Sequence, residues 1–476
     1  MTMPTAMVET HTAILFFVGD RVFKLKKAVD LGFLDHRTRE SRLLACQREV
    51  DLNRRLAPDV YLGVFDLLDE RGAPYDHLVA MRRMGEDRRL SRCLARGDDV
   101  EPALRSIVHL VTTLHEQSSP DPDHDRLGER VSIRMRWTDG LDRLKALHLH
   151  DDLTDRLVQV EDLALSYVDG RSALFRQRID FGCIRDGHGD LQAEDIFILD
   201  DGPRILDCIE FGDDYRWGDV LSDFAFLAMD LERLARPDLA RYLLTVHREL
   251  SGDRWPASLA HHYIAYRAQV RAQVGILRHH QRDEPVSADT EKLVDLALSH
   301  LARGQVRMIM VGGLPGTGKS TLAAGLADRL GGVLLRSDEI RATMAGADSE
   351  HRYSARSVHA VYVEMLQQAR ALIGRGEHVV LDATWSDPAH RAAVRELAGE
   401  TTSELHELRC ILPSDEAGAR IRNRIELGGD ASEATPAIAS ELADRFAPWS
   451  EAIDLPTRVR PDEVIEQAVR RMGLEV

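Results

Sequence analysis

The stretch from Val306 to Thr321, VRMIMVGGLPGTGKST, decides the fold of the second part of this 476-residue chain. It reads as an apolar, β-branched strand, then a glycine-rich turn, then the start of a helix. The turn fills every position of the phosphate-binding pattern G-x-x-x-x-G-K-[ST]. We therefore expect a nucleotide polyphosphate to be bound by Gly313, Leu314, Pro315, Gly316, Thr317, Gly318, Lys319, Ser320 and Thr321.

Two side chains of this turn have specific predicted roles. Lys319 is expected to reach the β- and γ-phosphates of ATP, and the Ser320 hydroxyl is expected to bind Mg²⁺. The glycines let backbone N–H groups turn towards the phosphates, and the helix that follows directs its positive N-terminus at them. The alternative interpretation is an ordinary glycine-rich turn before a helix.

Lysine is rare in this chain, with only six among 62 basic side chains. A compact ammonium and a forked guanidinium are not interchangeable, so we expect these few lysines to mark positions that need an ammonium. One of them is Lys319. Three more, Lys24, Lys26 and Lys27, cluster near the start of the chain and raise the question of a second phosphate site there.

Length and charge narrow the class of protein. A chain of this length predicts two or three domains. The net charge is −17 and neither half is basic, which argues against sequence-independent binding of nucleic acid. No apolar run has the length of a membrane span, and the first residues do not resemble a secretory signal. The five cysteines are scattered, which favours reduced thiols in a cytoplasmic protein.

The chain is predicted to contain two domains. In residues 306–476, four strand-like runs (MIMVGG, GVLLRS, HVVLDAT and ELRCIL) alternate with helices, which indicates an α/β domain with a parallel sheet. Residues 1–300 form the other predicted domain. Its small lobe, about 1–88, starts with a hairpin that turns at Gly19-Asp20, and its large lobe, about 89–285, is mostly helical. A helical linker is expected at about 286–305.

Candidate chemical residues of the second domain follow its strands, where open parallel sheets bind ligands. Asp338 is placed at the end of the second strand, and Arg341 one turn into the next helix. Asp382 ends the third strand, where it can hold Mg²⁺ directly or through water. Arg420 and Arg424 share a helix face and would neutralise a phosphoryl group during transfer. The alternatives are a helix cap for Asp338 and a solvated face for the arginines.

Four segments of this domain carry a family resemblance. GGLPGTGKST, LLRSDEIR, VVLDATWSDPAHR and RIRNR…GGDASEAT resemble the small P-loop kinases related to polynucleotide kinase and the zeta toxins. The resemblance covers 306–476 and implies that Asp338 is the general base on a substrate hydroxyl, that Arg341 binds the substrate, and that Arg420 and Arg424 are lid arginines. It does not fix the substrate. Trp385 departs from the pattern, since a polar side chain often stands there.

The first domain contains a second catalytic pattern. The run GHGDLQAEDIFIL places His188, Asp190 and Asp195 in the spacing H-x-D-x-x-x-x-N, with aspartate in place of the final asparagine. Asp207 follows twelve residues later and is predicted to end the next strand. In this pattern Asp190 is the base carboxylate, and Asp195 and Asp207 are metal ligands. The alternative is that Asp190 and Asp207 are turn residues.

A lysine upstream completes this set. Lys24 lies on a predicted strand, and Glu49 on the next helix is expected to orient it towards the phosphates of ATP; Lys26, on the same strand face, is the alternative lysine. Residues of about 10–280 resemble the aminoglycoside-phosphotransferase branch of kinase-like enzymes, which implies an α+β protein-kinase-like fold. The chain departs from that branch at Asp195 and in having no glycine-rich loop before Lys24.

The two modules together resemble a bacterial family of fused aminoglycoside-phosphotransferase-like and P-loop kinase proteins. This resemblance predicts an ATP- and Mg²⁺-dependent phosphotransferase that acts on the hydroxyl of an unidentified small molecule. One alternative is a regulatory protein that hydrolyses ATP and has a degenerate kinase-like domain. A nucleic-acid-end kinase is disfavoured by the net charge. The acceptor and the oligomeric state are left open.

Overall fold

The structure is a computed structural model of the chain. It describes residues 6–10, 12–30, 32, 34–147, 149–344, 354–427 and 435–474, without the side chains of residues 424, 427 and 436. The chain divides into two compact units. Unit 1 consists of residues 1–161, 175–255 and 260–301, and unit 2 of residues 162–174, 256–259 and 302–476. Among the described residues, no helix has the length and apolar character needed to cross a membrane.

Unit 1 begins with a five-stranded antiparallel sheet and one helix packed on it. The sheet order is β1-β2-β3-β5-β4, and the elements are β1 (Ala6–Glu9), β2 (Ala13–Val18), β3 (Arg21–Lys26), α1 (Arg39–Asn53), β4 (Tyr61–Leu68) and β5 (Pro74–Arg82). The Thr38 side chain caps α1 by accepting a hydrogen bond from the Ser41 amide. Cys46 and Val50 of α1 pack on Val22 and Val79 of the sheet. This core holds α1 against β3.

The following region, to residue 303, is mainly helical. Two short two-stranded antiparallel sheets, β6 with β9 and β7 with β8, interrupt the helices. The elements are α2 (Leu90–Arg96), α3 (Glu101–Gln117), α4 (Pro122–Asp125), α5 (Arg130–Lys145), α6 (Asp151–Gly170), α7 (Ser172–Asp180), β6 (Ile184–Asp186), β7 (Ile196–Leu199), β8 (Gly202–Ile205), α8 (Asp213–Arg216), β9 (Trp217–Asp219), α9 (Leu221–Arg233), α10 (Pro237–Ser251), α11 (Ala257–Gln281) and α12 (Ala288–Arg303).

Unit 2 is built around a five-stranded parallel sheet with the order β11-β12-β10-β13-β14. Its core joins strand residues such as Ile309 and Val380 to Leu326 and Val464 of the helices. The elements are β10 (Arg307–Gly312), α13 (Lys319–Leu330), β11 (Val333–Arg336), α14 (Ser337–Met344), α15 (Ala355–Gly374), β12 (Val379–Asp382), α16 (Pro388–Glu400), β13 (Glu404–Ile411), α17 (Ser414–Leu427), α18 (Pro436–Arg445), β14 (Ile453–Pro456) and α19 (Pro461–Arg471).

The predicted fold class is confirmed, two local expectations are wrong, and one strand was not predicted. The strand β11 ends at Arg336, so Asp338 lies in the first turn of α14 and not at a strand end. The strand β8 ends at Ile205. Asp207 has a φ of 63°, and a left-handed backbone cannot continue a pleated strand. The edge strand β14, whose apolar run of IDLP is short, was not predicted.

Candidate active sites

A charge cluster joins the sheet of unit 1 to α1. The Lys24 ammonium lies 2.9 Å from Glu49 Oε1 and 2.8 Å from Asp207 Oδ1. The Lys26 ammonium lies 2.7 Å from Glu49 Oε2 and 2.5 Å from Glu210 Oε1. Glu49 therefore binds both lysines, and the ion pairs of the described residues connect only Lys24 to Asp207. This contact favours Lys24 as the phosphate lysine.

The pKa values of the carboxylates in this cluster depend on burial and on the neighbouring lysine charges. Glu49 is fully buried. Burial alone would raise the pKa of Glu49, but the charges of Lys24 and Lys26 outweigh it and lower that pKa. The nearby Lys24 charge likewise lowers the pKa of Asp207. Both carboxylates are therefore held in their ionised form, which is the form that can orient an ammonium or bind a cation.

The loop that carries Asp190 is fixed by a buried carboxylate from α9. Asp223 accepts hydrogen bonds from the backbone amides of His188 at 2.7 Å and Gly189 at 2.9 Å, and His115 Nε2 lies 3.0 Å away. The imidazole of His188 donates to the carbonyl oxygen of Leu206 at 3.0 Å. The histidine of the H-x-D pattern is thus a structural residue that ties the loop to the segment before Asp207.

Asp190 is a half-buried carboxylate that accepts a hydrogen bond from the Gln192 amide at 2.8 Å. Burial raises the pKa of Asp190 to about 6, and the Asp207 charge contributes in the same direction, while Arg271 and Arg267 oppose the shift. A carboxylate with a pKa close to the working pH is suited to take a proton from a hydroxyl. The geometry is compatible with the predicted role as base.

Asp195 and Asp207 are the predicted metal ligands of unit 1. Burial, followed by the charges of Asp207 and Asp190, raises the pKa of Asp195 well above its ordinary value. In the described part of the chain, no three His, Cys, Asp or Glu side chains are grouped so as to hold a metal ion by themselves. Mg²⁺ commonly uses one or two carboxylates together with phosphate oxygens, and a cation between these two carboxylates would relieve their repulsion. The residues present fit Mg²⁺.

Asp190 also lines a cavity of about 590 Å³. All of the lining residues belong to unit 1, and they come mainly from α5, α11 and the segment around β9. Tyr215, Trp217 and Tyr266 supply aromatic surface, and Arg267 and Arg271 supply charge. Small-molecule sites typically have volumes of ~300–1,000 Å³. The cavity therefore has the size of a metabolite site, and it lies next to a carboxylate that is suited to take a proton from a hydroxyl.

In unit 2, the turn between β10 and α13 has the backbone that the phosphate-binding pattern requires. Gly313, Gly316 and Gly318 have φ values of 139°, 83° and 90°. The Thr317 hydroxyl donates to the Leu314 carbonyl oxygen at 2.7 Å and closes the turn. Lys319 and Ser320 begin α13, so the helix N-terminus faces this turn.

Asp382 lies beside this turn because of the sheet register. Val311 of β10 and Arg336 of β11 both pair with Asp382 of β12. Burial raises the pKa of Asp382, and the neighbouring Lys319 and Ser320 oppose the shift. Its Oδ1 is buried and accepts no well-formed hydrogen bond from the described residues. A buried carboxylate oxygen without a donor, next to a serine hydroxyl, fits a water or Mg²⁺ held beside a polyphosphate.

Asp338 and Arg341 face one another in α14. Arg341 Nη1 donates to Asp338 Oδ1 at 2.6 Å. Both are close enough to the buried Tyr362 hydroxyl to influence its pKa, which burial raises to about 12. Trp385 is fully buried with a φ of 57°, and its backbone amide donates to Tyr362 at 3.2 Å. Trp385 therefore lies in the core of unit 2, with its ring against that of Tyr362.

Of the two predicted lid arginines, the structure describes the side chain of Arg420 only; that of Arg424 lies outside the described residues. Arg420 Nη2 donates to the Thr457 carbonyl oxygen at 2.7 Å, and the Thr457 hydroxyl donates to the carbonyl oxygen of Thr317 at 2.6 Å. A Cβ on Gly318 would lie 3.4 Å from Arg420 Nη1. Arg420 is thus placed against the phosphate-binding turn.

Several residues at these sites were not found from the sequence. Glu210 follows Asp207 by three residues without a pattern that marks it as a lysine partner. Thr457 has no motif of its own, and it reaches the turn only because β14 pairs with β13. Arg267 and Arg271 lie one turn apart on α11. Their i,i+4 spacing indicates in the sequence that the two side chains share a helix face.

Comparisons with known proteins match one segment of the chain and also nearly its whole length. A family model described as an AAA domain matches residues 308–449. The uncharacterized protein Rv2004c of Mycobacterium tuberculosis (strain ATCC 25618 / H37Rv) is 41% identical over 471 residues, which cover 97% of this chain and 94% of the relative. The uncharacterized protein Mb2027c of Mycobacterium bovis has the same identity and coverage. The chain belongs to the family of these mycobacterial proteins.

Two solved structures give weaker likenesses to separate parts of the chain. A choline/ethanolamine kinase family protein from Mesorhizobium loti is 15% identical with a TM-score of 0.39, and the match covers 63% of this chain and 87% of that one. A sugar kinase from Janibacter sp. HTCC2649 is 21% identical with a TM-score of 0.27, and the match covers 36% of this chain and 95% of that one. The match of the AAA domain model to residues 308–449 agrees with the P-loop domain predicted for this part of the chain.

Proposed function

We propose that the protein transfers the γ-phosphoryl group of ATP to a hydroxyl group of a small molecule, and that each of its two modules is a phosphotransferase. One observation carries the proposal. In unit 1, Asp190 is close enough to Asp207 that the Asp207 charge raises its pKa. Asp190 also lines a cavity of about 590 Å³. These two features support a role for Asp190 between a candidate phosphate site and a candidate acceptor site.

Bound ATP with a divalent cation supplies the phosphoryl group. Lys24, held by Glu49, is the candidate partner of its phosphates, and Asp195 with Asp207 is the candidate cation site. Asp190 takes the proton of the acceptor hydroxyl. The bond that forms joins the hydroxyl oxygen to the γ-phosphorus, and the bond that breaks joins this phosphorus to the β–γ bridging oxygen, so that ADP leaves.

The module in unit 2 is proposed to follow the same chemistry with different parts. Backbone N–H groups of residues 313–321 and Lys319 bind the phosphates, and Ser320 with Asp382 is the candidate Mg²⁺ site. Asp338 is the proposed base, Arg341 is the proposed substrate residue, and the arginines at positions 420 and 424 are the proposed lid. The net charge of −17 makes a nucleic acid a poor candidate for the acceptor.

The test uses the full-length protein with labelled ATP and a metabolite extract. We expect labelled small-molecule products from the two modules. Asp190→Asn should lower the product of unit 1, and Asp338→Asn the product of unit 2, by about 10²–10⁴-fold while ATP remains bound, as for loss of a general base. The matched control is Asp155→Asn, an exposed carboxylate on α6. Label released only as inorganic phosphate would contradict the proposal and favour a regulatory ATPase.

A further inference from the structure

The cavity next to Asp190 is rich in arginine. Seven arginines line it: Arg126, Arg136, Arg143, Arg185, Arg216, Arg267 and Arg271. Five aspartates also line it: Asp139, Asp190, Asp214, Asp219 and Asp223. Some of these charges are neutralised by other residues of the protein. The charges that remain determine which ligands the cavity can bind.

Three of the five aspartates bind other residues of the same chain. Asp219 receives two hydrogen bonds, each 2.8 Å long, from Arg178, which is not a lining residue. Asp223 holds the loop before Asp190 and contacts His115. Asp214 receives two hydrogen bonds from Arg126, at 2.9 and 3.0 Å. Asp139 and Asp190 are left to face the cavity without an arginine bound to them among the described residues.

Five of the seven arginines have no carboxylate partner within the described part of the chain. Arg143 and Arg271 form no ion pair or hydrogen bond there. Arg136 donates only to the Asp214 carbonyl oxygen, at 3.3 Å. Arg267 donates only to the Gly189 carbonyl oxygen and the Ser222 hydroxyl, both at 3.1 Å. Arg185 donates only to the Ser118 carbonyl oxygen, at 2.9 Å. Among the described residues, the lining charges without an ion-pair partner are therefore five positive and two negative.

Two of these arginines are close to the proposed base. Arg271 and Arg267 both act on the charge of Asp190. Arg267 is also fixed in place, because its guanidinium lies 4.8 Å from the centroid of the Phe226 ring. A guanidinium held by neutral partners keeps its charge available, and it recognises phosphate and carboxylate groups with a forked pair of N–H donors.

We propose that this cavity takes an anionic acceptor, a hydroxyl compound that also carries a phosphate or carboxylate group, and that Arg271 and Arg267 bind this group while Asp190 faces the hydroxyl. A cationic or amine-bearing acceptor would meet unneutralised guanidinium groups and be repelled. The inference rests on the proposed function for the identity of the reacting hydroxyl. It adds the chemical class of the acceptor.

The experiment compares matched acceptors in the full-length protein with labelled ATP. The pairs are ribose with ribose 5-phosphate and glucose with glucose 6-phosphate, together with gluconate and glucosamine. We expect kcat/KM for an anionic member to exceed that of its neutral partner by at least about tenfold, as for one added charge-assisted hydrogen bond. The phosphate and gluconate arms distinguish which anionic group is preferred. Preference for glucosamine or a neutral sugar would overturn the proposal.

Variants test the arginines directly. Arg271→Gln should raise the KM of the anionic acceptor about 10–100-fold with a smaller change in kcat, and Arg271→Lys should restore part of the affinity. Arg278→Gln is the matched control, because Arg278 is an exposed residue of the same helix that does not line the cavity. Equal KM values for Arg271→Gln and Arg278→Gln would contradict the assignment.

A binding measurement separates this proposal from the proposed function. Calorimetry of the full-length Asp190→Asn variant with ribose 5-phosphate, glucose 6-phosphate and gluconate needs no catalysis. Binding of at least one compound that is lost in Asp190→Asn/Arg271→Gln would support the anionic site even if phosphoryl transfer were never observed. Absence of binding by all three anions would overturn the anionic site. Transfer to another acceptor would then leave the proposed function standing.

Discussion

At the scale of single residues, the conformation of Asp207 is the most informative feature of unit 1. Its φ of 63° lies in the left-handed region, which aspartate tolerates better than most residues. Its backbone amide donates to the Tyr61 hydroxyl at 3.3 Å, and its carboxylate contacts Lys24. The left-handed turn therefore directs the Asp207 carboxylate towards Lys24 of the sheet.

Asp190→Asn is expected to stabilise the metal-free protein at pH 7 and above. The pKa of Asp190 is about 6 in the folded protein, and an aspartate in an unfolded chain has a pKa of about 4. Ionisation is therefore disfavoured by folding, with a penalty of ~2–3 kcal/mol that is complete above about pH 6 and disappears as the pH falls towards about 4. Asparagine removes the penalty, because it carries no charge.

Melting temperatures of the two proteins in EDTA, measured from pH 4 to pH 8, check this prediction. The variant should exceed the wild type by several degrees at pH 8 and match it near pH 4. Asp155→Asn, on the exposed face of α6, should show no such trend. A variant that melts below the wild type at pH 8 would show that the Asp190 carboxylate contributes favourable contacts that outweigh its burial.

Lys319→Ala is expected to remove one of two ATP-binding sites. The lysine begins α13 and is only partly buried, so its loss removes charge without opening a core cavity. Titration calorimetry of the full-length protein with MgATP should give two equivalents for the wild type and one for Lys319→Ala. Asp207→Ala should also leave one equivalent. The control is Lys292→Ala, an exposed lysine of α12. Two equivalents in Lys319→Ala would refute the assignment of the turn.

At the scale of elements, the phosphate-binding turn depends on α17 as well as on its own sequence. Gly316 has a φ of 83°, and a Cβ at this position would lie 2.5 Å from the Ala417 carbonyl oxygen of α17. Gly316 therefore meets two requirements, a left-handed backbone and close approach to a helix. Gly331, at the end of α13, has a φ of 61° but nothing within 4 Å of an added Cβ.

This difference makes a matched pair of substitutions. Both Gly316→Ala and Gly331→Ala carry the cost of a left-handed alanine, ~1 kcal/mol. Only Gly316→Ala also forces the turn away from α17, so we expect it to weaken ATP binding at least about tenfold, whereas Gly331→Ala lowers stability alone. Calorimetry in an Asp207→Ala background isolates this site. Equal ATP affinity in the two variants would mean that the contact with α17 does not shape the turn.

At the scale of the whole molecule, unit 2 is not one continuous stretch of chain. Residues 162–174 and 256–259 belong to it together with residues 302–476. Arg171 is buried and donates to the Thr401 carbonyl oxygen at 2.9 Å. The predicted boundary at residue 306 lies close to the start of the long segment, and the two short segments had no signal in the sequence.

A fragment of residues 302–476 is expected to be less stable than the same unit in the full-length protein. It loses the Arg171 contact and also the hydrogen bond from Ser258 to the Gly376 carbonyl oxygen, at 2.7 Å. Each buried carbonyl left without a donor costs ~1–3 kcal/mol. Thermal unfolding, measured by tryptophan fluorescence, checks this prediction. Arg171→Ala in the full-length chain removes one of the two contacts and should lower stability by a smaller amount. A fragment that unfolds at the temperature of the intact unit would contradict it.

The sequence by itself determined the parts of this protein whose requirements are local. The turn at residues 313–321 is recognisable because its glycines, lysine and serine must follow a strand and open a helix within a few residues. The H-x-D pattern at residues 188–190 is recognisable for the same reason. Alternation of strands and helices predicted the parallel sheet of unit 2, and the sheet brings Asp382 beside Ser320.

Only the tertiary structure decided which distant residues meet. Lys24 and Lys26 share a strand face and both contact Glu49, but only Lys24 contacts Asp207 and only Lys26 contacts Glu210 among the described residues. Arg267 and Arg271 come close to Asp190 across about eighty residues of chain, through the packing of α11. Burial also set the pKa of Asp190. Such contacts depend on how helices and sheets pack, and a linear pattern carries no record of that packing.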